Sequence, residues 1–207
     1  MQRRRVFLLL ALLSAVVAAA ACNREVANPN ARPRIALVLK TLNSPFFIEM
    51  QRGAEEAARR LDVVLEVQAA EREVDVERQM QIVENLIQSK FSALALTPSG
   101  SREVVPAIVK ANAAGIPVVI VDTRLDTAAA ADAKIKTASF VGSDNYRGGQ
   151  LVGEYLVKVS GGKGSVAILE GIPGHETGDS RIRGFRDAIK GTSGITIATS
   201  QTANWER

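Results

Sequence analysis

The residues able to do chemistry in this chain are few. Lys40, Asp122, Arg124, Arg181, the only histidine (His175), the only tryptophan (Trp205) and the pair Phe46 and Phe47 stand out, with Ser44 just before the pair. Together they suit a sugar. A furanose or pyranose has apolar C–H faces that stack on aromatic rings, and a rim of hydroxyls that donate and accept and are best met by carboxylate and guanidinium groups. Burying such a ligand requires nearly every hydroxyl to be paired, since each orphan costs about 1–3 kcal/mol. No HExxH, GxSxG or cysteine–histidine metal spacing occurs, so neither an enzyme, a metal nor a cofactor is expected. The run Gly161–Ser165, GGKGS, precedes a strand instead of following one and reads as a turn rather than a phosphate loop.

These residues are scattered, and they meet only if the elements carrying them bring them together. From Arg34 onward, short β-branched runs alternate with stretches of helical period, the pattern of βαβ units and a parallel sheet, hence an α/β fold. Strands are predicted at Ile35–Leu39, Val63–Val67, Ala93–Leu96, Val118–Val121, Ser139–Val141, Val166–Leu169 and Thr196–Ala198, and helices at Pro45–Arg60, Val76–Gln88, Glu103–Ala114, Tyr146–Val159 and Ser180–Lys190. Ser44, Asp75 and Ser101 are the expected N-caps of the first three helices, Gly115 and Gly161 the expected C-caps, and Ala128–Ala133 an alanine-rich loop. In an open parallel sheet, ligands bind beyond the carboxyl ends of the strands. Lys40 to Phe47, Thr97 to Ser101, Asp122 to Arg124, Gly171 to Arg181 and Gln201 to Arg207 each follow a strand, so all should reach one edge.

Taken singly, the same residues have plainer readings. Phe46 and Phe47 read as core, as aromatics in a first helical turn usually do, although beside Asp122 and Arg181 one or both face a ligand. Asp122 can cap a turn, His175 is divided between loop surface and cleft, and Arg183 and Arg186 read as a solvated helix face.

The amino terminus carries a different signal. Arg3, Arg4 and Arg5 precede an apolar stretch, Val6 to Ala21, broken only by Ser14 and ending in small residues. That is the charged start, apolar middle and small-residue end of a signal peptide over residues 1–21. Setting those arginines aside lowers the formal charge from +4 to +1, too little for a nucleic-acid footprint. Cys22 is the only cysteine and stands where a lipobox places its lipid-bearing residue, with Ala19 where leucine is usual, so the reading is a lipid anchor with residues 22–33 as its tether or, alternatively, simple cleavage and release.

LVLKTLNSPFF, IPVVIVDTR, FVGSDNYRGG, GIPGHETGDSRIRGF and SQTANWER, in that order and spacing, resemble the ribose, allose and galactose binding proteins of the type I periplasmic-binding family, across nearly all of Arg34–Arg207. The resemblance implies two doubly wound parallel-sheet domains, 34–143 and 144–207, joined by a hinge near Gly142–Asp144. It implies that Phe46 and Phe47 stack on the sugar, Asp122 takes hydroxyls, Arg181 clamps ring and hydroxyl oxygens, and Trp205 closes the second aromatic face. Lys40 matches the allose-type pattern, Ser44 replaces a contacting asparagine, Thr123 separates Arg124 from the aspartate it directly follows in ribose binders, and His175 matches a galactose-type pattern in which Thr177 replaces an aspartate.

The function so implied is that of an exported, lipid-anchored and monomeric receptor, in the periplasm or on the outer face of the cell membrane. It captures a monosaccharide and delivers it to the permease of an ABC importer. The alternative is a receptor feeding a chemotaxis or sensor-kinase pathway. A repressor core would need a DNA-binding helix-turn-helix where the export segment stands. With 64 residues from Asp144 to Arg207, the second domain is expected to be incomplete and the chain poorly stable alone.

Overall fold

The computed structural model describes residues 31–205, so the expected signal peptide and the lipid-bearing Cys22 lie outside the described residues. The chain runs β1 (Arg34–Thr41), α1 (Pro45–Leu61), β2 (Val64–Ala70), α2 (Val76–Gln88), β3 (Ala93–Leu96), α3 (Val105–Ala113), β4 (Val118–Val121), α4 (Thr127–Asp132), β5 (Ser139–Val141), α5 (Asn145–Ser160), β6 (Gly164–Glu170), α6 (Glu176–Ile189) and β7 (Ile195–Thr202).

The first five strands form one parallel sheet in the order β2-β1-β3-β4-β5, and β6 and β7 form a second, also parallel. β1 is central and reads RIALVLKT, buried continuously from Ala36 to Thr41, because a strand covered by helices on both faces has no polar side to alternate. On one face α2 and α3 supply Ile82, Val83, Leu86, Ala107 and Ile108 to a core shared with Val38, Leu96 and Val118. On the other, α1 packs Phe47, Met50 and Ala54 over Leu37 and Leu39. The strand order reverses direction between β1 and β3, which opens the crevice where such sheets take their ligands.

Three local expectations are corrected. Ala128–Ala133 is mostly helix: Asp126 caps α4 by accepting from Ala129 N at 2.7 Å, and alanine has the highest helix propensity. Ser101 does not cap the third helix, which begins at Val105; its hydroxyl instead accepts from Glu176 N at 3.1 Å, at the start of α6. That helix starts at Glu176, earlier than Ser180, so the segment GHETG leads into its first turn. Ser44 and Asp75 occupy N-cap positions without side-chain capping bonds, while Gly161 is the left-handed C-cap of α5 and Gly115 lies just past α3 with a positive φ.

Around the second sheet, α5 and α6 lie so close where Gly149 and Gly184 meet the opposing backbone that neither position has room for a Cβ. Apolar residues there stay open, Leu169 at 79% exposure among them. Among the described residues, no helix is long and apolar enough to cross a membrane.

Candidate functional site

Lys40 is the last residue but one in the buried run of β1 and is itself only 2% exposed. Its ammonium lies 3.9 Å from Asp122 and 4.0 Å from Glu73, and donates to His175 Nε2 at 3.0 Å. Burial lowers its pKa to about 8 against the opposing pull of the two carboxylates. Burial likewise raises the Glu73 carboxyl, and, with Lys40 adding its charge, lowers His175 to about 3.

Asp122 follows β4 with φ at 62°, a left-handed conformation that aspartate tolerates better than most residues. That turn breaks the strand where it reaches the crevice, and the Thr123 hydroxyl donates to the Asp122 carboxylate at 3.1 Å. Arg181 lies on α6 four positions after Thr177, so both share one helix face. Its Nε donates to Asn145 Oδ1 at 2.8 Å, which fixes the plane of the guanidinium.

These groups border a cavity of about 190 Å³. At roughly 30 Å³ per liquid water it holds about six waters' worth of space, the scale of one sugar ring. Lys40, Asp122 and Glu73 line it with Arg181 and Thr177, and Ser44, Phe46, Phe47 and Trp205 complete the wall. The phenylalanines divide the wall between them. Phe47 is buried against Leu37 and Leu39, whereas Phe46 is 57% exposed and meets it edge-on, with centroids 5.2 Å apart. Trp205 lies against Gly171, where a Cβ would run into the indole. Ser44, Glu73 and Trp205 also border a larger cavity of about 740 Å³.

Two sequence candidates stand apart from this wall. His175 is 1% exposed and sits behind it, between Lys40 and Trp205. Arg124, displaced by Thr123, stacks its guanidinium 3.8 Å from the centroid of Phe140 and lines a separate cavity with Ile120 and Leu125. Conversely, Glu73 and Thr177 were absent from the candidates. Glu73 follows β2, and the strand-end rule applied there would have pointed to it. Thr177 is marked in the sequence only as the residue that replaces an aspartate of the galactose-type pattern, and its hydroxyl is buried without a hydrogen-bond partner. Gln79, fully buried on α2, is a further polar residue outside the sequence candidates. Its amide donates to Thr97 O at 2.9 Å and Leu39 O at 3.3 Å and accepts from Ser99 N at 2.9 Å, tying together the ends of β1 and β3. Among the described residues no cluster of three or more His, Cys, Asp or Glu is placed to hold a metal.

Residues 35–207 match the model of the periplasmic binding protein domain. The chain belongs to that family. It is 40% identical over 179 residues to the D-ribose/D-allose-binding protein of Pseudomonas aeruginosa, covering 84% of this chain and 55% of the relative. It is 33% identical to the D-allose-binding periplasmic protein of Escherichia coli, covering 83% of this chain and 56% of the relative. Among solved structures, an ABC transporter periplasmic solute binding protein of Actinobacillus succinogenes with bound D-allose matches at 44% identity and a TM-score of 0.78, over 84% of this chain and 60% of that one. The chain thus spans a little over half the length of these family members.

Proposed function

We propose that the pocket captures one monosaccharide and that the chain is the ligand-binding part of an extracytoplasmic receptor serving an ABC importer. The observation that carries this reading is the joining, in one cavity, of the Phe46, Phe47 and Trp205 rings with the Asp122, Arg181 and Lys40 side chains. Rings take the C–H faces of a sugar and the charged groups take its hydroxyls, while Thr177 offers a hydroxyl that has no protein partner. Two cations, Lys40 and Arg181, face two carboxylates, Glu73 and Asp122, so the lining is balanced for an uncharged ligand rather than a sugar acid or phosphate.

The wall draws on both sheets: Lys40, Phe46 and Asp122 accompany the first, Arg181 and Trp205 the second. A ligand that needs both sets of contacts favours a closed arrangement over an open one, with the hinge near Gly142–Asp144, and the closed form docks on the permease. The arginines and apolar run before Cys22 support export, and Cys22 is the proposed lipid anchor of a monomeric receptor.

Calorimetry of the full-length protein against ribose, allose, galactose, xylose and arabinose tests the reading. At least one sugar is expected to bind, and Asp122→Ala and Arg181→Ala are each expected to weaken it by about tenfold or more. Unchanged affinity in both variants would place the site elsewhere.

A further inference from the structure

We propose that His175 is a positioning residue of this pocket: from behind its wall it holds Lys40 and Trp205 where a ligand meets them, without touching the ligand. The proposal rests on the monosaccharide reading above. His175 is 1% exposed and does not line the cavity. Its Nε2 lies 3.0 Å from Lys40 Nζ. A charged lysine only donates, so the imidazole must accept through Nε2 and carry its proton on Nδ1, which has no hydrogen-bond partner. The opposite tautomer would aim an N–H at the ammonium, with only Pro98 O at 3.4 Å to receive it.

The same ring meets the Trp205 indole edge-on, with centroids 4.8 Å apart and planes at 89°. Lys40 Nζ in turn stands 5.1 Å from the centre of the indole. One buried imidazole, in the loop after β6, therefore touches the lysine near the end of β1 and the tryptophan that follows β7. Lys40 lies in the first sheet and Trp205 just beyond the second, and His175 sets their spacing.

The test uses the full-length protein, the sugar it binds best among the five named, and the Trp205 emission obtained by difference from Trp205→Phe. His175→Leu removes the acceptor and is expected to weaken binding by about tenfold and to shift Trp205 emission before any sugar is added. His175→Gln places an amide oxygen near the Nε2 position and is expected to return affinity to within about threefold of the wild type. In a Lys40→Met background, His175→Gln is expected to cost nothing further, because its partner is already gone. Wild-type affinity and emission in His175→Leu overturn the proposal, as does His175→Gln binding as weakly as His175→Leu. Should His175→Leu not fold, His175→Asn replaces it: its shorter amide stands at the Nδ1 position and does not reach Lys40, so the same tenfold loss and emission shift are expected, and wild-type affinity and emission overturn the proposal. If no sugar binds the wild type, the monosaccharide reading fails. The Trp205 emission of the sugar-free variants then decides the positioning role separately.

Discussion

Arg181 Nε donates to Asn145 Oδ1 across 2.8 Å, joining the second turn of α6 to the first residue of α5. The bond is made through Nε, Arg181 lines the cavity, and Asn145 is itself buried. Asn145→Ala should therefore weaken sugar binding by about tenfold, the cost of one hydrogen bond to a charged group, while leaving the fold intact. Titration calorimetry reads this directly, and an affinity equal to the wild type would show that Arg181 orients itself without help.

Gln79 makes three hydrogen bonds to the backbone around the ends of β1 and β3 from a fully buried position. Gln79→Leu keeps the volume and removes all three. We expect a loss of about 2–3 kcal/mol in unfolding free energy, measured by denaturant titration. A shift below about 0.5 kcal/mol would mean that neighbouring groups or water take over those partners.

His175 and Lys40 make stability depend on pH in defined windows. The histidine pKa falls from 6.5 to about 3 on folding, so between those values the unfolded chain binds a proton that the folded one refuses. Its contribution is complete above pH 6.5 and is lost as pH falls toward 3. For Lys40, lowered from 10.5 to about 8, the folded chain releases its proton first, so this residue's contribution to stability rises with pH between 8 and 10.5. Denaturant midpoints of the wild type and His175→Gln, compared across roughly pH 4 to 7, should diverge, with the variant showing the shallower fall. Parallel curves would contradict the assignment.

Gly171 abuts the Trp205 indole so closely that a methyl group cannot fit. Gly171→Ala should push the ring out of the wall, shift Trp205 emission toward that of a solvated indole and weaken sugar binding by about tenfold or more. Emission and affinity both matching the wild type would show that the ring can retreat without loss.

Much of the architecture was legible in the chain. Among the described residues, the seven strands and five of the helices follow from alternation of β-branched runs with helical period, since burial on both faces leaves β1 and β4 almost no polar positions. The strand-end rule also placed Lys40, Asp122, Arg181 and Trp205 around one cavity. What escaped were partners chosen across the fold. Ser101 looks like a cap for the helix that follows it, yet its oxygen serves Glu176, because α6 begins against the loop after β3. Arg124 looks like a neighbour of Asp122, yet the intervening Thr123 sends it to Phe140. A helix at Thr127–Asp132 was hidden in what reads as an alanine loop, although Asp126 and the alanines carried the signal.

The sequence by itself determined the elements, their order and the residue types available at the strand ends, because periodicity and turn chemistry are local and each residue carries them wherever it goes. Only the tertiary structure decided which side chains face the cavity and which stand behind it. Burial and hydrogen-bond pairing depend on groups far apart in the chain, as with Lys40 and His175, which are 135 positions apart in sequence and meet at 3.0 Å in space.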